Sequence, residues 1–225
     1  MNSDSVLGTT WGEFIPSTPL FGLSPRAGGT PFVESLLSWL IRLAREHAVS
    51  PRDLVREVIG QHDPQVMALC YGSFFRRHAL TIDGLGRYAQ HFASRLSEMS
   101  GVLGLEDDTL ENHRVRPWRF VIAGQGSPVL ATSQRWCPRC LADMVRAGGV
   151  PYRMLLWSIR AVEACPVHKE VLQYRCPHCR AEQPAIPRWP DILYCDSCRG
   201  SLLLGAERLN SSPSAGPDSR TLWYS

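Results

Sequence analysis

Cys137-Pro138-Arg139-Cys140, Cys165-Pro166-Val167-His168, Cys176-Pro177-His178-Cys179 and Cys195-Asp196-Ser197-Cys198 are four short pairs with metal-ligand spacing. They hold seven of the eight cysteines of the chain. Two side chains separated by two residues sit on one tight turn, and thiolates placed that way reach a single zinc ion at about 2.3 Å. Two pairs complete one tetrahedron, so four pairs predict two structural zinc ions. A site closed by four protein ligands staples a small fold and performs no chemistry of its own.

The pairs sort by the chain between them. Fifteen residues separate Cys179 from Cys195, enough for a short hairpin, so Cys176, Cys179, Cys195 and Cys198 match the zinc-ribbon pattern. Twenty-four residues separate Cys140 from Cys165, room for a helix and a loop, and Cys137, Cys140, Cys165 and His168 form the looser first set. His178 lies between two better-spaced cysteines and reads as a bystander or an outer hydrogen-bond donor. The competing explanation is a disulfide framework, which the absence of a signal-peptide pattern at the start of the chain disfavours. Cys70 lies in an apolar stretch and reads as a small buried residue.

At 225 residues and 44% apolar content, the chain holds one large domain or two small ones with a real core. No run approaches the eighteen apolar residues of a membrane span, so no membrane partner is expected. Zinc-ligand cysteines point to a reducing cytoplasm. The net charge is +3, and Lys169 is the only lysine. Within 131–200 ten basic and six acidic residues give a formal +4, which falls to about +1 once seven thiolates and two zinc ions are counted. Bulk charge therefore does not demand nucleic acid, although arginine suits phosphate forks and planar stacking.

The predicted fold class is mainly α with small zinc-ribbon β elements. Residues 1–30, rich in Pro, Gly, Ser and Thr, read as an extended arm packing across the later domain. Residues 31–130 read as a helical, helix-turn-helix-like domain, 131–204 as a double zinc module, and 205–225 as a disordered tail. The first helix is expected over 31–47, capped by Thr30 and opened by Pro31, with Val33, Leu36, Leu37, Leu40, Ile41 and Ala44 on one apolar face. Ser50-Pro51-Arg52-Asp53 starts a second helix that Gly60 stops. Further helices are expected over 64–77 and 82–98, and another opening at Pro151 inside the first zinc set. The acidic run Glu106, Asp107, Asp108 and Glu111 reads as solvated. Residues 115–131 read as an irregular strand region.

No Gly-x-x-x-x-Gly-Lys-Ser/Thr stretch is present, so the chain is not a P-loop ATPase. Closed zinc sets lack the open position a hydrolase needs, and no nucleophile–base arrangement is evident. The expectation is a protein that is not an enzyme. If DNA lies against the second helix, Arg52 and Arg56 are the candidate phosphate contacts, with a solvated helix face as the plainer alternative.

The stretch Glu34-Ser35-Leu36-Leu37-Ser38-Trp39-Leu40-Ile41-Arg42-Leu43-Ala44 resembles the N-terminal signature of the TniQ/TnsD family of transposition proteins. The later order agrees: Trp136 before the first pair, then Tyr152 and Trp157, then the three remaining pairs. The resemblance covers about residues 14–203. It implies a non-catalytic target-selection adaptor coupling a target-recognition module to an AAA+ ATPase that recruits the transposase. In some members the target is read by the protein's own DNA-binding domains. In CRISPR-associated transposons it is read by an RNA-guided effector. This sequence stops soon after the second zinc set, unlike long members, which favours a short adaptor working with an effector complex. The alternative is a stand-alone zinc-ribbon DNA-binding regulator. Whether the chain forms a homodimer stays open. Within the signature, Ser35, Trp39 and Arg42 either meet a partner near the first helix or are structural, Ser35 and Trp39 packing against the arm and Arg42 pairing with an acid; packing is the expectation for Trp39.

Overall fold

The computed structural model describes residues 18–70, 74–76, 78–110 and 129–203. Residues 115–128 of the strand region expected over 115–131 and the tail expected over 205–225 lie outside them, as does Glu111. Helices dominate the described N-terminal half, and every β pairing there or beyond is an isolated bridge.

Helix α1 spans Leu36–Glu46. It starts five residues later than Thr30-Pro31 suggests, because Ser35 takes the N-cap, its hydroxyl accepting the Ser38 N–H at 3.2 Å. Residues 33–35 are engaged elsewhere. Ser35 N–H donates to the Arg153 carbonyl (2.9 Å) and Leu155 N–H to the Val33 carbonyl (2.9 Å), around the antiparallel bridge Glu34–Met154. A backbone spent on that pairing cannot wind into helix on either side. For the same reason no helix opens at Pro151. Residues 151–154 run extended, and only a single 3₁₀ turn, Leu155–Ser158, follows.

α1 is buried from Leu36 through Ala44, not along one stripe. Leu36, Leu37, Leu40 and Leu43 join the helical core with Leu54, Val55, Ile59, Phe92 and Leu96. Ile41, on the other side, packs with Trp136, Trp157 and the metal-pair cysteines. The polar residues facing the second half of the chain are fully engaged. Ser38 Oγ accepts the Arg153 N–H (2.8 Å) and donates to Glu34, whose carboxylate holds Arg42 at 2.7 Å. Trp39 donates its indole N–H to the Leu23 carbonyl (2.8 Å), and Arg42 reaches the Ser24 carbonyl (2.9 Å). The described part of the arm, 18–30, therefore packs against α1, and Arg42 pairs with an acid.

Ser50 caps a second helical segment as expected, accepting the Asp53 N–H at 3.0 Å. Its α-turn, α2 (Pro51–Asp53), widens into π-helix over Leu54–Ile59 and closes in a 3₁₀ turn, Gly60–His62. Asp63 caps α3 (Pro64–Leu69), which is shorter than the expected 64–77. A 3₁₀ turn, His78–Asp83, precedes α4 (Arg87–Ser100), and Gly101 ends α4 in the left-handed conformation (φ 70°). Helix α5 spans Pro138–Arg146, and Cys137 is its N-cap residue.

Asp83 fastens the two halves. Its carboxylate accepts the Leu37 N–H at the start of α1 and the Ser158 hydroxyl, both at 2.8 Å. Burial pushes its pKa up to about 6 against the pull of those donors. Asp108 corrects the expectation of a solvated acidic run. It is buried, and burial, followed by the Glu34 and Asp107 charges, raises its pKa to about 9. Its neighbour Asp107 is exposed, so among the described members of the run Asp108 is the buried one. Cys70 is buried, as its apolar setting predicts.

Candidate metal centres

Three of the four pairs fold into the same turn. At 165–170, 176–181 and 195–200 the first cysteine's N–H donates to the carbonyl five residues on (Cys165 to Glu170, Cys176 to Ala181, Cys195 to Gly200; 2.7–2.9 Å). The residue after the second ligand returns its N–H to the first cysteine's carbonyl: Lys169 to Cys165, Arg180 to Cys176 and Arg199 to Cys195, at 2.8–3.0 Å. Lys169, Arg180 and Arg199 all sit at positive φ, between 59° and 62°. The bridges Ala164–Val171, Arg175–Glu182 and Tyr194–Ser201 close the base of each turn. Backbone N–H groups converge on the sulfurs: His168 on Cys165, His178 on Cys176, Ser197 on Cys195 and Gly200 on Cys198, at 3.4–3.5 Å. These contacts stabilise thiolates. The fourth pair is built differently, with Cys137 entering α5 and Cys140 in its first turn.

The turns bring the eight expected residues together as two sets: Cys137, Cys140, Cys165 and His168, and Cys176, Cys179, Cys195 and Cys198. Within each set the donor atoms lie within 4.8 Å of one another. Tetrahedral zinc with ordinary bond lengths requires S···S edges of about 3.8 Å and S···N edges of about 3.6 Å. The structure has Cys140–Cys165 at 3.4 Å, Cys176–Cys198 at 3.7 Å and Cys179–Cys195 at 3.6 Å. His168 Nδ1 lies 3.5, 3.2 and 3.8 Å from the sulfurs of Cys137, Cys140 and Cys165. Thiolate-rich, four-donor and near-tetrahedral sets fit zinc. A bound ion there would supply a cross-link between segments distant in sequence.

Supporting residues that pair spacing does not reveal complete the sites. Asp143, one turn along α5 from Cys140, sits 2.9 Å from His168 Nε2, which fixes the ring with Nδ1 toward the sulfurs. Arg146 pairs with the same carboxylate. Gln183 donates to Cys195 Sγ (3.3 Å) and accepts the Asp196 N–H (2.9 Å). A helical i, i+3 spacing from Cys140 to Asp143 was the available signal for the first of these. His178 is not in either donor set; its Nε2 lies 3.2 Å from the Ser201 carbonyl. The two sets differ in exposure: three members of the first are buried, whereas Cys179 and Cys198 of the second are exposed.

Trp136 links the sites, exchanging two backbone bonds with Gln173 and donating its indole N–H to the Leu202 carbonyl. Arg52 ties the second helical segment to the second set. Its guanidinium donates to the Ile186 carbonyl (3.1 Å) and lies 3.8 Å from Asp196, between two ligands. Arg56 lies over the Phe75 ring, 5.2 Å from its centroid.

The architecture defines a class: a helical domain packed on cysteine-rich turns that gather two four-donor sets able to hold metal ions. The chain belongs to the TniQ family, whose model matches residues 25–172. That span holds the helical half and the entire first donor set, and stops before the second. A search of curated proteins found no match. The family is associated with target selection in transposition, and its members are in general non-catalytic adaptors. Among the described residues no helix is long and apolar enough to cross a membrane.

Proposed function

We propose that this chain is a target-selection adaptor in DNA transposition, holding two structural zinc ions. It bridges a target-recognition complex, an RNA-guided CRISPR effector or target DNA itself, to an AAA+ transposition ATPase. One observation carries the reading: the TniQ match spans α1–α5 and a complete first donor set, and both donor sets use four protein ligands. Such sites leave no open coordination position, so the metals serve shape and not hydrolysis. Rigid surfaces suit a bridging protein, because a preformed interface loses less conformational entropy on binding. Arg52 and Arg56 are candidate DNA contacts on the second helical segment.

The test is co-purification of zinc-replete protein with its cognate AAA+ ATPase, with and without nucleotide, target DNA and the local effector. Retention of the ATPase is the expected result, and the combination that strengthens it identifies the target reader. If no combination retains the ATPase while the protein alone shifts a specific duplex at physiological salt, the chain is a stand-alone zinc-ribbon regulator instead.

A further inference from the structure

Where the second ribbon meets the helical half, two backbone bonds join them: Ala185 N–H to the Arg76 carbonyl (3.1 Å) and Ile186 N–H to the Phe75 carbonyl (3.0 Å). Beside this junction lies an open groove of ≈ 830 Å³, lined by Arg76, His78, Arg175 and Arg180 with Thr132, Ser133 and Gln183 among its polar residues. One acid, Glu182, lines it as well. That carboxylate is already engaged by the Ser133 hydroxyl (3.2 Å) and by Arg175 (3.4 Å). Arg76 and Arg180 are exposed and have no acidic partner among the described residues.

We infer that this groove binds the phosphodiester backbone of a nucleic acid strand. Uncompensated arginines beside the exposed Thr132 hydroxyl match phosphate oxygens, which accept paired N–H donors from guanidinium and a single bond from Thr. Tyr174, half exposed with Arg175 5.2 Å from its ring centroid, adds a stacking surface next to the groove. Nothing in the spacing of the sequence places Arg76 beside Arg180. The junction of helical half and ribbon does, so the site exists only when the second donor set is folded. The inference deepens the adaptor reading by naming the chemistry of one bound partner. It rests on that reading for its context and on the groove for its geometry.

The experiment is fluorescence anisotropy of zinc-replete protein with labelled single-stranded DNA, single-stranded RNA of the same sequence, and duplex DNA, from 50 to 300 mM salt (about the range where counterion release is read). Variants are Arg76→Ser and Arg180→Gly, the latter chosen because glycine accepts the positive φ, with Arg45→Ala as a control away from the groove. Each groove variant is expected to weaken binding about five- to eightfold at 0.1 M salt and to reduce the log–log salt slope by about 0.7–0.9. The control is expected to bind as wild type. Preference among the three probes identifies whether DNA or RNA is the source of the phosphates. Wild-type affinity in both groove variants, no binding of any probe at 50 mM salt, or equal competition by poly-glutamate would each overturn the inference. ATPase retention measured on the same variants keeps the two ideas separable: its loss in wild type refutes the adaptor, and its survival in both variants leaves only the groove at issue.

Discussion

Removing the Glu34 carboxylate is predicted to be among the costliest single changes in the helical half. Glu34 is fully buried, and its oxygens accept four bonds: from Ser38 Oγ (3.1 Å), Arg42 Nε (3.2 Å), Arg42 Nη2 (2.7 Å) and the Arg26 N–H (3.2 Å). Arg42 is only 7% exposed, so Glu34→Ala leaves a guanidinium with almost no access to water and one remaining partner, the Ser24 carbonyl. Stranding a buried charge costs about 3–5 kcal/mol. For a chain of this size that lowers Tm by about 6–20 °C. Taking both charges away removes the stranded cation, so Glu34→Met/Arg42→Met should lose less than Glu34→Ala alone. The assay is urea and thermal unfolding of all variants in excess zinc. A Glu34→Ala loss below about 1 kcal/mol, or a double variant that loses more than Glu34→Ala alone, would refute the reasoning.

The remaining predictions concern the metals and the buried acids. Cys195→Ser or Cys176→Ser should lower zinc content from two ions to one per chain and loosen the ribbon, since metal binding in such units is folding free energy; elemental analysis and thermal melts check it. Because Cys179 and Cys198 are exposed while the first set is largely buried, a chelator should remove the ion of the second set first, seen as two-phase zinc release. Asp143→Ala should weaken metal binding at the first set about 10–100-fold by freeing the His168 ring, with the second set unaffected. Asp108 keeps its proton in the folded state up to about pH 9, whereas an unfolded carboxyl loses it near pH 4. This group therefore makes stability fall as pH rises between those values, by about 1.4 kcal/mol per pH unit at most. Asp108→Asn should flatten that part of the stability–pH curve, and an unchanged slope would show that the carboxyl is ionised in the fold.

The eight donor positions were legible in the chain because ligand spacing is a local property: two residues between donors set one turn, whatever surrounds it. The three like turns share even their left-handed residue after the second ligand, which the sequence supplies as Lys169, Arg180 and Arg199 instead of glycine. Metal-set geometry holds such residues at positive φ against their ordinary preference. The Ser50-Pro51 start of the second segment was equally local, as was the apolar content of α1.

Long-range contacts decided the rest. Thr30-Pro31 and Pro151 are sound helix starts by local rules, yet neither starts one, because residues 33–35 and 153–155 spend their backbone groups on each other. Asp108 belongs to a charged run by composition, and only packing turns it inward beside Glu34 and Asp83. Asp143 is an ordinary helix acid until residues 165–168 bring His168 within reach. Arg76 and Arg180 become neighbours only where the ribbon docks on the helical half. The sequence by itself determined which residues gather into the two donor sets and that much of the described chain is helical, since turn spacing and helical periodicity act over a few residues. Which polar groups are buried, where α1 begins and where basic side chains converge were decided by tertiary structure, because desolvation and pairing depend on residues more than a hundred positions apart, such as Ser38 and Arg153.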